Sequence, residues 1–201
     1  SSLIEHKERL RRMRESCRAF DKSHANESIV ALAEHLAKSF AAYNPAVNFT
    51  SRKGRFRLRA AAVLFDSQNR VLLASNGSTP HFYLPGGCVT VNETAEDALA
   101  RALNESLAID VTAGRPLWIC QRFFTGGAQR ERLHEICTYF AVDAAHTNLE
   151  NRGDRIPGAE PGTHFEWMPL DALGEIDLRP AFLKTALQSP PQTVEWVTAQ
   201  E

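Results

Sequence analysis

Two kinds of segment are missing from this 201-residue sequence. No apolar run approaches the roughly 20 residues needed to span a bilayer, and no apolar secretory core follows the opening Ser1-Ser2, which lacks an initiator methionine. A cytoplasmic protein with no membrane partner is the resulting expectation. Cysteine is scarce as well. Cys17, Cys88, Cys120 and Cys137 stand far apart with no C-x-x-C pair, which favours reduced, packed thiols over a zinc site. Internal repeats and low-complexity tracts are absent. What is present is enough apolar residue, 43%, for one core with or without an appendage.

The charge is uneven. Residues 1–59 hold 13 Lys/Arg against 6 Asp/Glu, net +7; residues 60–201 hold 10 against 18, net −8, which sums to the overall −1. The first 43 residues read as two amphipathic helices. Leu3, Leu10, Met13, Cys17 and Phe20 form one stripe, and Ile29, Ala33, Leu36 and Phe40 another. Helices this short need a partner, either the rest of the chain or a second copy, so a homodimer through them is one expectation. The run Arg52 to Arg59 follows. As a strand it places Arg55, Arg57 and Arg59 on one face and Phe56 and Leu58 on the other. Those guanidinium groups read either as a phosphate grip or as the charged guard of a solvated edge strand. Nucleic acid is not supported as a partner, because no aromatic platform accompanies the cations.

From Ala60 the pattern is globular. AAAVLF, the turn Asp66–Asn69 and RVLLA predict a hairpin. Leu117–Phe124 and Leu133–Val142 predict two further strands, residues 144–162 a long loop, His164–Met168 a last strand, and Pro180–Leu187 a closing helix. The expected organisation is 1–54 as helical hairpin and basic linker, 55–190 as the main domain and 191–201 as a tail.

The most informative stretch is Phe82–Val111. Leu84-Pro85-Gly86-Gly87 is a rigid turn whose glycines permit close approach to a phosphate. Asn92 or Thr94 caps a helix running to about Leu107, with Glu93, Glu96 and Asp97 near its start. Ala95, Leu99 and Leu103 mark its buried face, and Glu93, Asp97, Arg101 and Glu105 its polar stripe.

This stretch resembles the box of the Nudix hydrolase superfamily, G-x5-E-x7-R-E-U-x-E-E-x-G-U, where U is bulky and aliphatic. Gly87, Glu93, Arg101, Leu103, Glu105 and Ile109 stand in register, whereas Ala102, Ser106 and Ala108 replace two glutamates and a glycine. The resemblance implies the Nudix fold, an α+β mixed β-sheet sandwiched by helices, with the N-terminal helical hairpin as an addition. It also implies a nucleotide-derived small molecule as ligand and pyrophosphate cleavage assisted by Mg²⁺ or Mn²⁺. Its functional residues carry over as Glu105, Arg101 and Glu93 for catalysis, with Glu105 and Glu93 left as metal ligands. Gly86, Gly87, Arg55, Arg57 and Phe82 are the expected substrate contacts. Glu131, Glu135, Glu160 and Glu166 are candidate replacement carboxylates, His134 a candidate base, and Tyr83, Trp118 and Phe123 candidate stacking rings. Three functions fit: a hydrolase with a thinned metal site, a nucleotide-binding module without turnover, and an interaction subunit.

Overall fold

The computed structural model describes residues 8, 11, 29–31, 45–77, 81–126 and 130–201. The chain divides into two units, Ser1–Asn44 and Pro45–Glu201. Apart from the few positions just named, the expected N-terminal hairpin lies outside the described residues. The described strands all belong to the second unit.

Residues on both sides of each turn set the sheet. The strands are β1 (Asn48–Ser51), β2 (Gly54–Leu64), β3 (Arg70–Asn76), β4 (Gly86–Cys88), β5 (Ala113–Gly126), β6 (Glu131–Val142), β7 (Arg155–Pro157), β8 (Thr163–Pro169) and β9 (Glu195–Gln200). The larger sheet runs β1-β2-β6-β5-β9, with β4 paired to β2 beside that path. It is mixed: β2 with β6 and β5 with β9 are parallel, the other pairs antiparallel. The smaller sheet, β3-β8-β7, is antiparallel throughout.

Helix α1 (Ala95–Leu107) begins at Thr94, whose hydroxyl accepts from the Asp97 N–H at 3.1 Å. Of the two candidate caps, Thr94 is therefore the one used; Asn92 sits in the preceding turn at φ 63°. The helix ends at Ala108 in the left-handed region, φ 51°, the conformation that favours glycine. Its Leu99, Leu103 and Leu107 pack against Ala60, Ala62, Leu64, Phe140 and Val142 of the large sheet. A second apolar layer joins Ala61, Val63, Trp118 and Tyr139 to Leu173, Leu183 and Leu187, the last three from the segments around the short helix α2 (Leu183–Ala186). Ala60–Leu64 of β2 and Val71–Ala74 of β3 are buried on both faces and therefore read as continuous apolar runs.

Three sequence-based expectations are corrected. The hairpin predicted across Asp66–Asn69 exists only as a tight turn with one bridge, Phe65 to Val71; beyond it β3 leaves for the other sheet and pairs with β8. Two apolar strands without alternation carry no information about which sheet each joins. The arginine strand is not an edge, since β1 and β6 flank β2. Residues 195–200, expected in the tail, form β9 and pair with β5. The long loop 144–162 carries a 3-10 turn (Glu150–Arg152) and β7, and its Arg152 donates to the Leu107 carbonyl at the C-terminal end of α1.

Candidate functional site

The Gly-Gly turn is itself a strand. Gly86 lies opposite Ala61, Gly87 opposite Ala60 and Cys88 opposite Arg59. Gly86 has φ +156°, and a Cβ there would stand 2.1 Å from the Ala60 carbonyl oxygen. A Cβ on Gly87 would meet that of Ala102 at 2.7 Å. Both glycines are thus needed to seat β4 between β2 and α1.

Glu93 and Arg101 brace that arrangement. Arg101 Nε donates to Glu93 Oε1 at 2.7 Å and Nη2 to Glu93 Oε2 at 2.9 Å, while Nη2 also donates to the Cys88 carbonyl at 2.9 Å. The Thr90 N–H and hydroxyl donate to Glu93 Oε2 at 2.9 and 2.8 Å. The Arg101 guanidinium, followed by the Thr90 bonds, holds the Glu93 carboxyl down at about 2. Both Glu93 oxygens are engaged in fixing the β4–α1 loop. Glu105 differs: its side chain is 63% exposed, and Arg101 Nη1 reaches it at 3.2 Å.

Beside β4 lies a cleft of about 570 Å³ whose lining includes Gly87, Tyr83, Arg57, Arg59, Arg122 and Arg179. Its charge is organised by Glu135, 1% exposed, which accepts from Arg57 and has Arg59 and Arg122 at 3.9 Å. Arg122 Nη2 donates to Glu201 Oε2 at 2.7 Å, and its guanidinium carbon stands 4.0 Å from the Phe124 ring centroid. Arg179 Nε donates to Asp177 Oδ1 at 2.6 Å. Arg59 is the least engaged, with a 3.5 Å contact to the Gly86 carbonyl beyond Glu135. Burial opposes its charge, but Glu135 together with smaller contributions from Cys137, Tyr139 and Cys88 more than offsets it, so the guanidinium pKa is raised. Burial lowers the pKa of His81, also in the lining, which favours its neutral form.

The other expected residues are dispersed. Arg55 donates to Asn48 and lines a separate groove. Phe82 packs against the apolar layer, while its neighbours His81 and Tyr83 face the cleft. Trp118 is core. Of the four replacement carboxylates only Glu135 reaches the arginines. The alternation of β2 points to Arg59 together with Arg55 and Arg57 as a possible phosphate grip, whereas Arg122 and Arg179 carry no local signal in the sequence.

A profile described as NUDIX domain matches residues 55–189. The chain belongs to the NUDIX domain family. A low-salt glycan biosynthesis protein, Agl8, of Haloferax volcanii is 35% identical over 85 residues, 40% of this chain and 54% of that protein. An 8-oxo-dGTP diphosphatase of Proteus vulgaris is 42% identical over 57 residues, 26% of this chain and 51% of that one. The chain thus spans about half the length of these curated relatives. Among solved structures, a NUDIX hydrolase from Nitrosomonas europaea aligns with TM-score 0.49 at 14% identity, covering 79% of this chain and 96% of its own.

Nudix hydrolases generally use divalent metals, clustered by several carboxylates. The residues here do not fit such a cluster. Ala102 is buried against Gly87, and the Ser106 hydroxyl donates to the Ala102 carbonyl of its own helix at 2.6 Å. Glu93 is committed to Arg101 and Thr90. Among the described residues, no three His, Cys, Asp or Glu side chains come together to hold a metal. Of the box carboxylates, Glu105 remains exposed on that face of α1, with Asp97 held at the Thr94 cap.

Proposed function

We propose that this Nudix protein binds a nucleoside diphosphate derivative in the arginine cleft and that metal-dependent cleavage is weakened relative to its family. The observation that carries this reading is the contrast across β4. On one side α1 carries Ala102 and Ser106 where the family has glutamates, while on the other Arg57, Arg59 and Arg122 converge around Glu135 and Arg179 lines the same cleft. Guanidinium groups match phosphate oxygens bidentately and stay charged at all physiological pH. In this arrangement Glu135 spaces the guanidinium groups and Arg59 presents donors beside the Gly86 carbonyl.

The test separates binding from turnover. Nucleoside triphosphates including 8-oxo-dGTP, nucleotide sugars, ADP-ribose and dinucleotides are screened by thermal shift without metal, then for phosphate release with Mg²⁺ or Mn²⁺. A bound ligand at about 100 times its Kd stabilises by about 2.7 kcal/mol, a rise of roughly 5–10 °C in Tm for a domain of this size. Arg59→Gln should diminish that rise. Turnover should be slow or absent. Rapid turnover abolished by Glu105→Gln would instead establish a working metal site and overturn the weakened-hydrolase reading.

A further inference from the structure

Away from β4, the large sheet carries a second feature that the arginine cleft does not use. Phe49 on β1 lies opposite Phe56 on β2, Phe56 is in register with His134 on β6, and His134 lies opposite Phe123 on β5. Residues in register across neighbouring strands share a face, so four rings drawn from four strands stand in one row. The rings touch in sequence. Phe49 and Phe56 are stacked with centroids 5.3 Å apart, Phe56 meets His134 edge-on at 5.2 Å, and Phe123 stacks on His134 at 4.5 Å. Gln121 Nε2 donates to His134 Nε2 at 2.9 Å, which fixes that ring's plane. The two ends of the row are open, Phe49 being 59% and Phe123 39% exposed.

The row lines a groove of about 770 Å³, whose rim includes Lys53, Arg55 and Arg132. Arg52 stands beside Lys53 in the exposed β1–β2 turn. That turn is pinned in place: Gly54 has φ +141°, and a Cβ there would lie 2.4 Å from the Arg132 carbonyl oxygen. The backbone that carries Lys53 is therefore packed against β6 beside the aromatic row. Of the acidic side chains at this end, Glu201 is occupied by Arg122.

We infer that this groove is a binding surface for single-stranded nucleic acid, with bases stacked on the Phe49–Phe56–His134–Phe123 row and phosphates met by Lys53, Arg55 and Arg132. Stacking on side-chain rings combined with a cationic track is the chemistry that single strands share, because each base has an accessible π-face. A duplex hides those faces, and a sheet presenting two or three stacking rings accommodates a comparable number of splayed bases. The aromatic row lies on the face of β2 opposite Arg57 and Arg59, although the groove borders the arginine cleft and shares Phe124, Thr125, Leu133 and Glu201 with its lining.

The experiment is fluorescence anisotropy of the full chain with labelled RNA and DNA single strands of about 12 nucleotides and the matching duplex. It is run at about 50 and about 200 mM salt. Single strands should bind in preference to duplex. Phe49→Ala and Phe123→Ala, both at exposed positions, should each weaken binding roughly tenfold with an unchanged circular dichroism spectrum. About three phosphate contacts should give a log–log salt slope near −2, reduced by Lys53→Gln or Arg132→Gln. Three results would each overturn the inference: no binding at low salt, equal binding of duplex, or phenylalanine variants that bind like the parent. The last of these, with displacement by a diphosphate ligand, would move the nucleic acid to the arginine cleft and leave the diphosphate reading intact.

Discussion

At the scale of single residues, the Glu93–Arg101 pair shows how a box position serves structure before chemistry. Glu93 accepts from Arg101 and from Thr90, and its pKa falls from an ordinary 4.5 to about 2. A carboxylate whose pKa falls on folding contributes stability that is complete above its unfolded pKa and is lost as pH drops toward its folded one. The loss should occupy the window from about pH 4.5 down to about pH 2. Glu93→Gln removes charge-assisted hydrogen bonds worth about 1.5–3 kcal/mol. Urea midpoints should therefore be lower in the variant at neutral pH and converge with the parent's as pH falls through that window. Parallel curves would refute the assignment. This pair was legible in part: the sequence placed both residues on one stripe, but their link to the Cys88 carbonyl needed the fold of β4 over α1.

At the scale of elements, α1 was the best-read segment because its signals are local. A capping threonine, acidic first turn and three- and four-residue apolar spacing all act within 14 residues, from Thr94 to Leu107. The sheet was less legible for the opposite reason. Nothing within β3 says that its partner is β8, some 90 residues later in the chain. The same helix supports a constructive test of its missing carboxylates. The double variant Ala102→Glu, Ser106→Glu adds two carboxylates to the face that carries Glu105, next to Gly87, which has no side chain to obstruct them. Calorimetric titration with Mn²⁺ should reveal a site in the variant that the parent binds much more weakly, and Mn²⁺ should raise the variant's Tm. Ala102 is 7% exposed and packed on Gly87, so folding must be checked first. A folded variant with no gain in Mn²⁺ affinity would show that the absence of those two glutamates does not account for the weak metal site.

At the scale of the whole molecule, the candidate sites are assembled from distant parts of the chain. Arg57 and Glu135 are 78 residues apart, and Arg122 and Glu201 are 79 apart. Charges that must be paired in a buried cleft leave no sequence-local trace, which is why Arg122, Arg179 and the pairing around Glu135 escaped detection while the Gly86–Gly87 turn did not. The same reasoning decides what residues 191–201 do. A tail beyond the domain would be removable at no cost. Here β9 covers the edge of β5, and Glu201 accepts from Arg122 and from the Ala181 N–H at 2.6 Å. Without it, Arg122, whose side chain is 8% exposed, keeps only Glu135 at 3.9 Å and the Phe124 ring. Removing one partner of a buried pair costs about 3–5 kcal/mol, a fall of roughly 10 °C in Tm at this chain length. Deletion of 191–201 adds an uncovered β5 edge and should lower Tm further and promote aggregation. Glu201→Ala isolates the ion-pair contribution, whereas Trp196→Ala, at a 61% exposed position, should change stability by no more than about 0.5 kcal/mol. If the deletion melted like the parent, β9 would be a bystander and the cleft's charge balance would have to be held by Glu135 alone.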